Sequence, residues 1–347
     1  MSERRSVWVL GAGFSRSLGG PLLTDLFSEG LERRVRYRFA DLLVDVIRNE
    51  SINYALSLFR HGAGIPQRSG MAPLHWWRNA EEFLDLLDVA VRSGKNAGDY
   101  RAILDETKTL TSNNDITLED LQRAARRWTA AECSLFWVDA NIQTERWSPY
   151  VSWARRLSAD APSHAVLTFN YDRVLEVLQQ SAFHVVMPHE DYRRDTNPVL
   201  KLHGSIDWCC TDESRIEHAK DDPLFALRRT KAAFALATPG PSKAESVGLL
   251  KSLWQKAIVA LSTASSIYFV GYRFPPSDVD AKDVFLKAIR ANESPLLEIH
   301  IVLGDQESSD VRRMKGLLEF ATRGKGRRYV HVHSLFAEDF LTVYPFL

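Results

Sequence analysis

Ser6-Val-Trp-Val-Leu-Gly-Ala-Gly-Phe-Ser-Arg-Ser-Leu-Gly-Gly-Pro21 is the stretch on which the fold turns. Val7, Trp8, Val9 and Leu10 make a short apolar run that fits a buried strand. Gly11-Ala12-Gly13 then forces a tight turn, and a helical stretch begins within or just after residues 14–21. A strand that turns through glycines into a helix points free backbone N–H groups and a positive helix end at one place, which suits a phosphate or pyrophosphate. The same segment also serves as a plain strand–turn–helix connection that binds nothing, and an isolated G-x-G does not choose between the two. The ordinary dinucleotide fingerprint has its third glycine where this chain has Arg16, and no acidic ribose partner is evident about 20 residues on, where Leu31-Glu-Arg-Arg34 reads as helix surface.

Composition excludes several classes. The chain has 347 residues, 45% hydrophobic and 25% charged, enough for one α/β core with a helical insertion. Its 44 basic and 44 acidic residues cancel, so no global field recommends direct nucleic-acid binding. The run Arg323-Gly-Lys-Gly-Arg-Arg328 is short and broken by glycine, as in a solvated turn. Three cysteines, Cys133, Cys209 and Cys210, cannot frame a disulfide scaffold and suggest a reducing compartment. No signal peptide or membrane span is evident, so a cytoplasmic protein is expected.

After the opening motif, 22–38 shows apolar residues at helical spacing, and a helix-rich region follows to about residue 160. Helices are expected at 41–59 and 79–91, and one or two over 118–157, with a loop at 62–66. Trp128, Phe136, Trp137, Trp147 and Trp153 are expected in the core rather than as a stacking platform for bases. From residue 164 strands and helices alternate, the pattern of a parallel, helix-covered sheet. Strands are expected at 165–169, 183–187, 199–202, 232–237, 266–270, 298–303 and 329–333; helices at 173–180, 247–264, 281–291 and 310–323. The expected architecture is a Rossmann-like parallel sheet built from 1–38 and 161–347, with 39–160 as an inserted helical module.

In such sheets ligands bind beyond the carboxyl ends of the strands. Four short motifs fall there: Gly11-Ala-Gly-Phe-Ser15, Thr168-Phe-Asn-Tyr-Asp172, Leu202-His-Gly-Ser-Ile-Asp-Trp208 and Gly271-Tyr-Arg-Phe-Pro-Pro-Ser-Asp278. Asn170 and Asp172 have side chains that can cap the next helix, an adequate structural role. His203, at a strand end beside a glycine, is either a structural histidine or a general base titrating near neutrality. His331 and His333 have H-x-H spacing but no evident third metal ligand.

In order and character these motifs resemble the SIR2-like (sirtuin-fold) family, whose variant Rossmann domain binds NAD. Gly11, Ala12, Gly13, Phe14 and Ser15, with Gly19 and Pro21, match its glycine-rich motif. Thr168-Phe-Asn-Tyr-Asp172 is similar to its T-Q-N-x-D motif, with Phe169 in place of Gln, and Leu202-His-Gly204 to its H-G motif. Gly271 and Tyr272 open a G-Y-x-x-P-x-x-D stretch; this stretch, and Asn79-Ala-Glu-Glu-Phe-Leu84, resemble the zinc-less SIR2 proteins of bacterial antiphage defence. The paired C-x-x-C ligands of the deacylase zinc ribbon are missing, as is its F-R-G segment, where Leu22-Leu-Thr-Asp-Leu26 stands. No zinc and no other metal is therefore expected.

The resemblance implies cleavage of the nicotinamide–ribose bond of NAD as substrate. Asn170 would orient water or stabilise the developing charge, His203 would act as general base, and Asp172 would hold its loop or contact the ribose. Gly11, Ala12, Gly13 and Ser15 would line the pyrophosphate. Asp305, after a strand, is either an adenosine-ribose partner or a cap or turn residue. An NAD glycohydrolase must be restrained, which implies activation by self-assembly, as a homo-oligomer, or by a HerA-type ATPase or other sensor protein. The alternatives are a non-catalytic sensor of NAD or ADP-ribose, and a protein ADP-ribosyltransferase or deacylase.

Overall fold

A computed structural model describes residues 5–22, 24–43, 51–63, 77, 79–93, 105, 117–178, 183–193, 195–212, 215–218, 222, 224–229, 233–236, 243–275, 278–305 and 307–343. The expectations for 23, 44–50, 64–66, 179–180, 232, 237 and 276–277 lie outside these residues. The chain divides into two compact units, one of residues 1–20, 139–204 and 249–347, the other of 21–138 and 205–248. The division differs from the sequence-read boundary in three places: residues 21–38 and 205–248 fall with the helices, and residues 139–160 fall with the sheet.

The first unit holds a seven-stranded parallel sheet. Its strands are β1 (Ser6–Leu10), β2 (His164–Thr168), β3 (Phe183–Val185), β4 (Asn197–Lys201), β8 (Ser266–Val270), β9 (Leu296–Val302) and β10 (Arg327–His333), in the order β10-β9-β8-β1-β2-β4-β3. β1 lies between β2 and β8, with Ser6 opposite both His164 and Ser266. The chain passes from β1 to one side and later returns to the other, so the carboxyl ends of β1 and β8 flank the switch point where open sheets bind ligands. Val7, Trp8, Val9 and Leu10 are all buried, as a central strand covered on both faces requires.

Helices of this unit are α1 (Ala12–Ser15), α6 (Ser148–Ala159), α7 (Val174–Val177), α9 (Lys243–Thr263) from Leu249 onward, α10 (Val279–Ala291), α11 (Ser309–Thr322) and α12 (Ala337–Val343). The helix expected at 173–180 is thus a single turn among the described residues. On one face an aromatic column crosses the sheet: Trp8 stacks on Tyr268 at 4.3 Å, Tyr268 on His300 at 4.5 Å and His300 on His331 at 4.9 Å. Trp153 of α6 closes edge-on over Trp8, at 5.4 Å. The H-x-H pair thus gains a third histidine, His300, with its Nδ1 3.0 Å from His333 Nε2. Burial and the two neighbouring histidines push His300 down to about 3, so its own ring packs in the neutral form. Among the described residues no group of three or more His, Cys, Asp or Glu is arranged to hold a metal.

The second unit contains α2 (Glu29–Arg38), α3 (Ser51–Gly62), α4 (Ala80–Ser93), α5 (Leu118–Ser134), α8 (Phe225–Arg228) and a three-stranded sheet of β6 (Arg215–His218), β5 (Gly204–Asp212) and β7 (Ala233–Leu236). The strand expected at 232–237 therefore belongs not to the parallel sheet but to this one, in which β5 and β6 pair antiparallel. Trp128 and Trp137 are buried in this unit, as Trp147 and Trp153 are in the other.

The helix expected over 22–38 starts only at Glu29. Phe27 sits at a positive φ of 63°, off the helical path, and Ser28 then caps the helix by accepting from Leu31 N. The Phe27 amide donates to the carboxyl of Glu132, at 3.0 and 3.2 Å, and Trp128 Nε1 donates to the same group at 2.9 Å. Glu132 is fully buried, and desolvation pushes its carboxyl up to about 8. A carboxyl raised on folding contributes stability below its unfolded value of 4.5 that is lost as pH rises towards 8. At about 1.4 kcal/mol per pH unit the loss amounts to a few kcal/mol at most. Urea denaturation at pH 5 and pH 8 should show Glu132→Gln losing less stability than the wild type over this interval. Parallel losses would show that Glu132 is already ionised in the fold.

Candidate functional site

The site lies at the carboxyl ends of β1, β2, β4 and β8, all within the first unit. Thr168 of β2 and Lys201 of β4 are register partners. Asn170 and His203 each lie two residues beyond that pair, so the register itself delivers both to the same edge of the sheet. The ring of His203 meets Phe169 edge-on at 4.8 Å and lies 6.3 Å from Tyr171, the two neighbours of Asn170.

Asn170 is held from three directions. Its backbone N–H donates to Thr168 Oγ1 at 3.1 Å, and its Nδ2 donates to Gly11 O at 2.9 Å and to Ser15 Oγ at 3.1 Å. A carbonyl such as Gly11 O can only accept, so the amide nitrogen must face it, and Oδ1 is left as an acceptor. Ser15 Oγ in turn donates to Asp172 Oδ2 at 2.7 Å. Asp172 Oδ1 accepts from Val174 N at 3.0 Å, the local turn role that its position suggests. Asp172 therefore does both, bracing its loop and tying it to the glycine-rich turn. Burial pushes its carboxyl up, against the pull of Lys201, Val174 N and Ser15.

Lys201 is a residue that the motifs did not flag. It is 1% exposed, donates to Asp172 O at 2.6 Å and pairs with Glu176 at 2.9 Å. A buried ammonium needs such partners, and here they clamp the Asn170–Asp172 loop against the end of β4. Its signal in sequence was a lysine ending an apolar strand.

The glycine-rich turn fits tightly against the end of β8. Gly11 N donates to Val270 O and Gly13 N to Gly271 O, both at 3.1 Å, and Phe14 N donates to Gly11 O at 2.8 Å. A Cβ on Gly11 would lie 2.5 Å from Gly271 O, and one on Gly13 would lie 2.7 Å from Gly271 Cα. These glycines thus serve close backbone packing as well as the turn, and three of the loop's amides are already used. Ala12 is half-buried, while the ring of Phe14 packs inside, edge-on to Tyr150 at 5.1 Å and to Trp153 at 5.5 Å. Gly19 has a positive φ of 100°, which favours glycine. Pro21 belongs to the other unit. Asp305 is exposed beyond β9, and its Oδ1 accepts from Glu307 N at 2.9 Å, which fulfils the turn role.

Asp278 is the second residue missed as a site residue, although its motif was noticed. It is 4% exposed, Tyr272 OH donates to its Oδ2 at 3.1 Å, and its Oδ1 lies 3.4 Å from His203 Nε2. Tyr272 stacks on Phe169 at 4.0 Å, which joins the ends of β2 and β8. His203 is itself buried at 6% exposure, so His203, Asp278 and Tyr272 form one enclosed polar cluster beside Asn170.

Residues 164–321 match the family model described as the SIR2-like domain. A comparison with curated proteins returns no match. The matched segment contains Asn170, Asp172, Lys201, His203, Gly271, Tyr272 and Asp278. Gly11 to Ser15 lie before it, and β1 carries them into the same parallel sheet and onto Gly271 and Asn170. The match extends through β2, β4, β8 and β9 of that sheet, and it supports a SIR2-like, NAD-using family for the domain at residues 164–321.

Proposed function

We propose that this chain is an NAD glycohydrolase that splits the nicotinamide–ribose bond, and that it serves as an antiphage effector which depletes NAD when triggered. The observation that carries the reading is the convergence of a fixed Asn170 amide with the enclosed His203 two residues beyond a register pair. In the reaction the C–N bonding pair leaves with the pyridinium ring, and nicotinamide departs neutral. Positive charge develops on the ribose as the bond breaks, as in other glycosidic cleavages. The free Oδ1 of Asn170 suits an incoming water or a ribose hydroxyl. His203 takes the proton that water loses when its oxygen joins the anomeric carbon. We assign the pyrophosphate to the glycine-rich turn and Ser15, with Asp172 and Lys201 holding the neighbouring loop in place.

The defence role rests on the motif resemblance, and with it the expectation that a homo-oligomer or a sensor protein such as a HerA-type ATPase sets the enzyme working. The test is incubation of the purified protein with NAD and chromatographic measurement of nicotinamide, with and without candidate activators. Nicotinamide release supports the hydrolase. Saturable NAD binding with no release under any of these conditions would replace it with a nucleotide sensor, and a mass-shifted protein product would replace it with a transferase.

A further inference from the structure

We propose that Asp278 is the positioning residue of His203: its carboxylate holds the imidazole through Nε2 and raises its affinity for a proton, with Tyr272 as the anchor of the carboxylate. The inference deepens the glycohydrolase reading and rests on it for its catalytic consequence. It starts from a local departure. Asp278 is the N-cap residue of α10, and Asp is among the residues best suited to that task, yet its side chain makes no capping hydrogen bond. Ser28, Thr117 and Ser308 do cap their helices. At Asp278 both carboxylate oxygens are instead turned to Tyr272 and His203, at 3.1 and 3.4 Å. A local preference set aside for a buried carboxylate–imidazole pair is the pattern expected where function overrides local stability.

Among the described residues, Asp278 is a charged group at ion-pair distance from His203. Phe169 covers the ring edge-on, Tyr171 lies 6.3 Å away, and Trp254 of α9 donates its indole N–H to the adjacent Leu202 O. Lys201, two residues earlier, directs its ammonium to Asp172 O and Glu176. The Nε2–Oδ1 contact is an ion-pair contact rather than a formed hydrogen bond, and a proton on Nε2 would face the carboxylate and leave Nδ1 as the basic nitrogen. The pair is 3.4 Å apart, a separation that can tighten when substrate closes the site.

Asp278→Asn removes the charge while its side-chain oxygen can still accept from Tyr272. The His203 imidazole is followed by NMR titration of the full chain without substrate, with His203→Gln assigning its resonance. We expect its titration to fall by about one unit or more in Asp278→Asn. Nicotinamide release should then show kcat lower by about 10- to 100-fold at neutral pH, KM within a few-fold of wild type, and the acid limb of the pH profile moved down with the NMR value. Tyr272→Phe keeps the charge and should change kcat less than tenfold. An unshifted His203 titration in Asp278→Asn overturns the inference whatever the activity. A shifted titration in a protein whose wild type never releases nicotinamide leaves the pair standing and removes the glycohydrolase reading instead.

Discussion

Asn170→Ala should reduce nicotinamide release from NAD by about 10²- to 10⁴-fold, the range typical for loss of a group that positions a proton transfer or the attacking water. The loss should appear in kcat, because an acceptor that orients water acts on the chemical step rather than on ground-state binding. Stability should fall by about 2 kcal/mol at most, which leaves the protein folded. The side chain is half-buried, and its deletion removes two hydrogen bonds, each with a net worth of about 1 kcal/mol, one to Gly11 O and one to Ser15 Oγ. Asn170→Asp makes a sharper test, since it is nearly isosteric. Its carboxylate would face the Gly11 carbonyl, an acceptor against an acceptor, so this variant should also lose activity. Thermal denaturation separates a chemical defect from an unfolded one. Either variant at wild-type turnover, with the fold intact, would remove Asn170 from the chemistry and with it the reading of the β2 loop.

The second large effect is steric. Gly271 has a positive φ of 68°, and a Cβ there would lie 2.2 Å from Phe14 N and 2.4 Å from Gly13 C. Gly271→Ala therefore combines left-handed backbone strain of about 1–2 kcal/mol with overlap against a backbone that cannot yield without moving the whole glycine-rich turn. Overpacking of this kind adds roughly 1–3 kcal/mol, so the sum is a large part of a typical domain's stability. A melting temperature lower by several degrees is expected, together with loss of NAD turnover as the loop holding Ser15 shifts. Gly316→Ala is the contrast. Gly316 is an exposed residue inside α11 with nothing within 4 Å of its Cβ position, so alanine should leave stability unchanged or raise it by up to about 1 kcal/mol. Equal melting temperatures for Gly271→Ala and wild type would show that the β1 and β8 ends are not packed as described.

Strands carried their own signal wherever burial was two-sided. β1 and β8 are continuous apolar runs ended by glycine, and their bounds were legible because a central parallel strand needs no alternation. β5 gave no such signal. Its first six residues are all buried, yet Ser205 and Asp207 alternate with Ile206 and Trp208, so Gly-Ser-Ile-Asp-Trp-Cys shows no apolar run and only four residues of alternation, directly after the histidine. β7 was legible as a strand but not as a member of the smaller sheet, because strand partners are chosen by packing that a local window does not contain. The late start of α2 has a similar cause. The apolar spacing of 22–38 continues through Phe27, and only the bond from its amide to Glu132, 105 residues away, accompanies the positive φ that excludes helix there.

The candidate site divides along the same line. The types and order of Asn170, Asp172, His203 and the two glycine motifs were written in the sequence, because reactive and turn-forming residues cluster at strand ends in short runs. Their roles needed the fold. The register pair Thr168–Lys201 decides that Asn170 and His203 share an edge, and the close approach of Gly11 and Gly13 to Gly271 explains the glycines by contact rather than by turn geometry alone. Lys201 and Asp278 read locally as a strand-end lysine and a helix cap. Only burial converts them, since an ammonium or carboxylate taken out of water must find opposite charge or donors, and the partners it finds are residues of the site. What the sequence alone determined was the chemistry available at each strand end; which groups face one another was settled by sheet register and burial, which act over distances along the chain that no short motif spans.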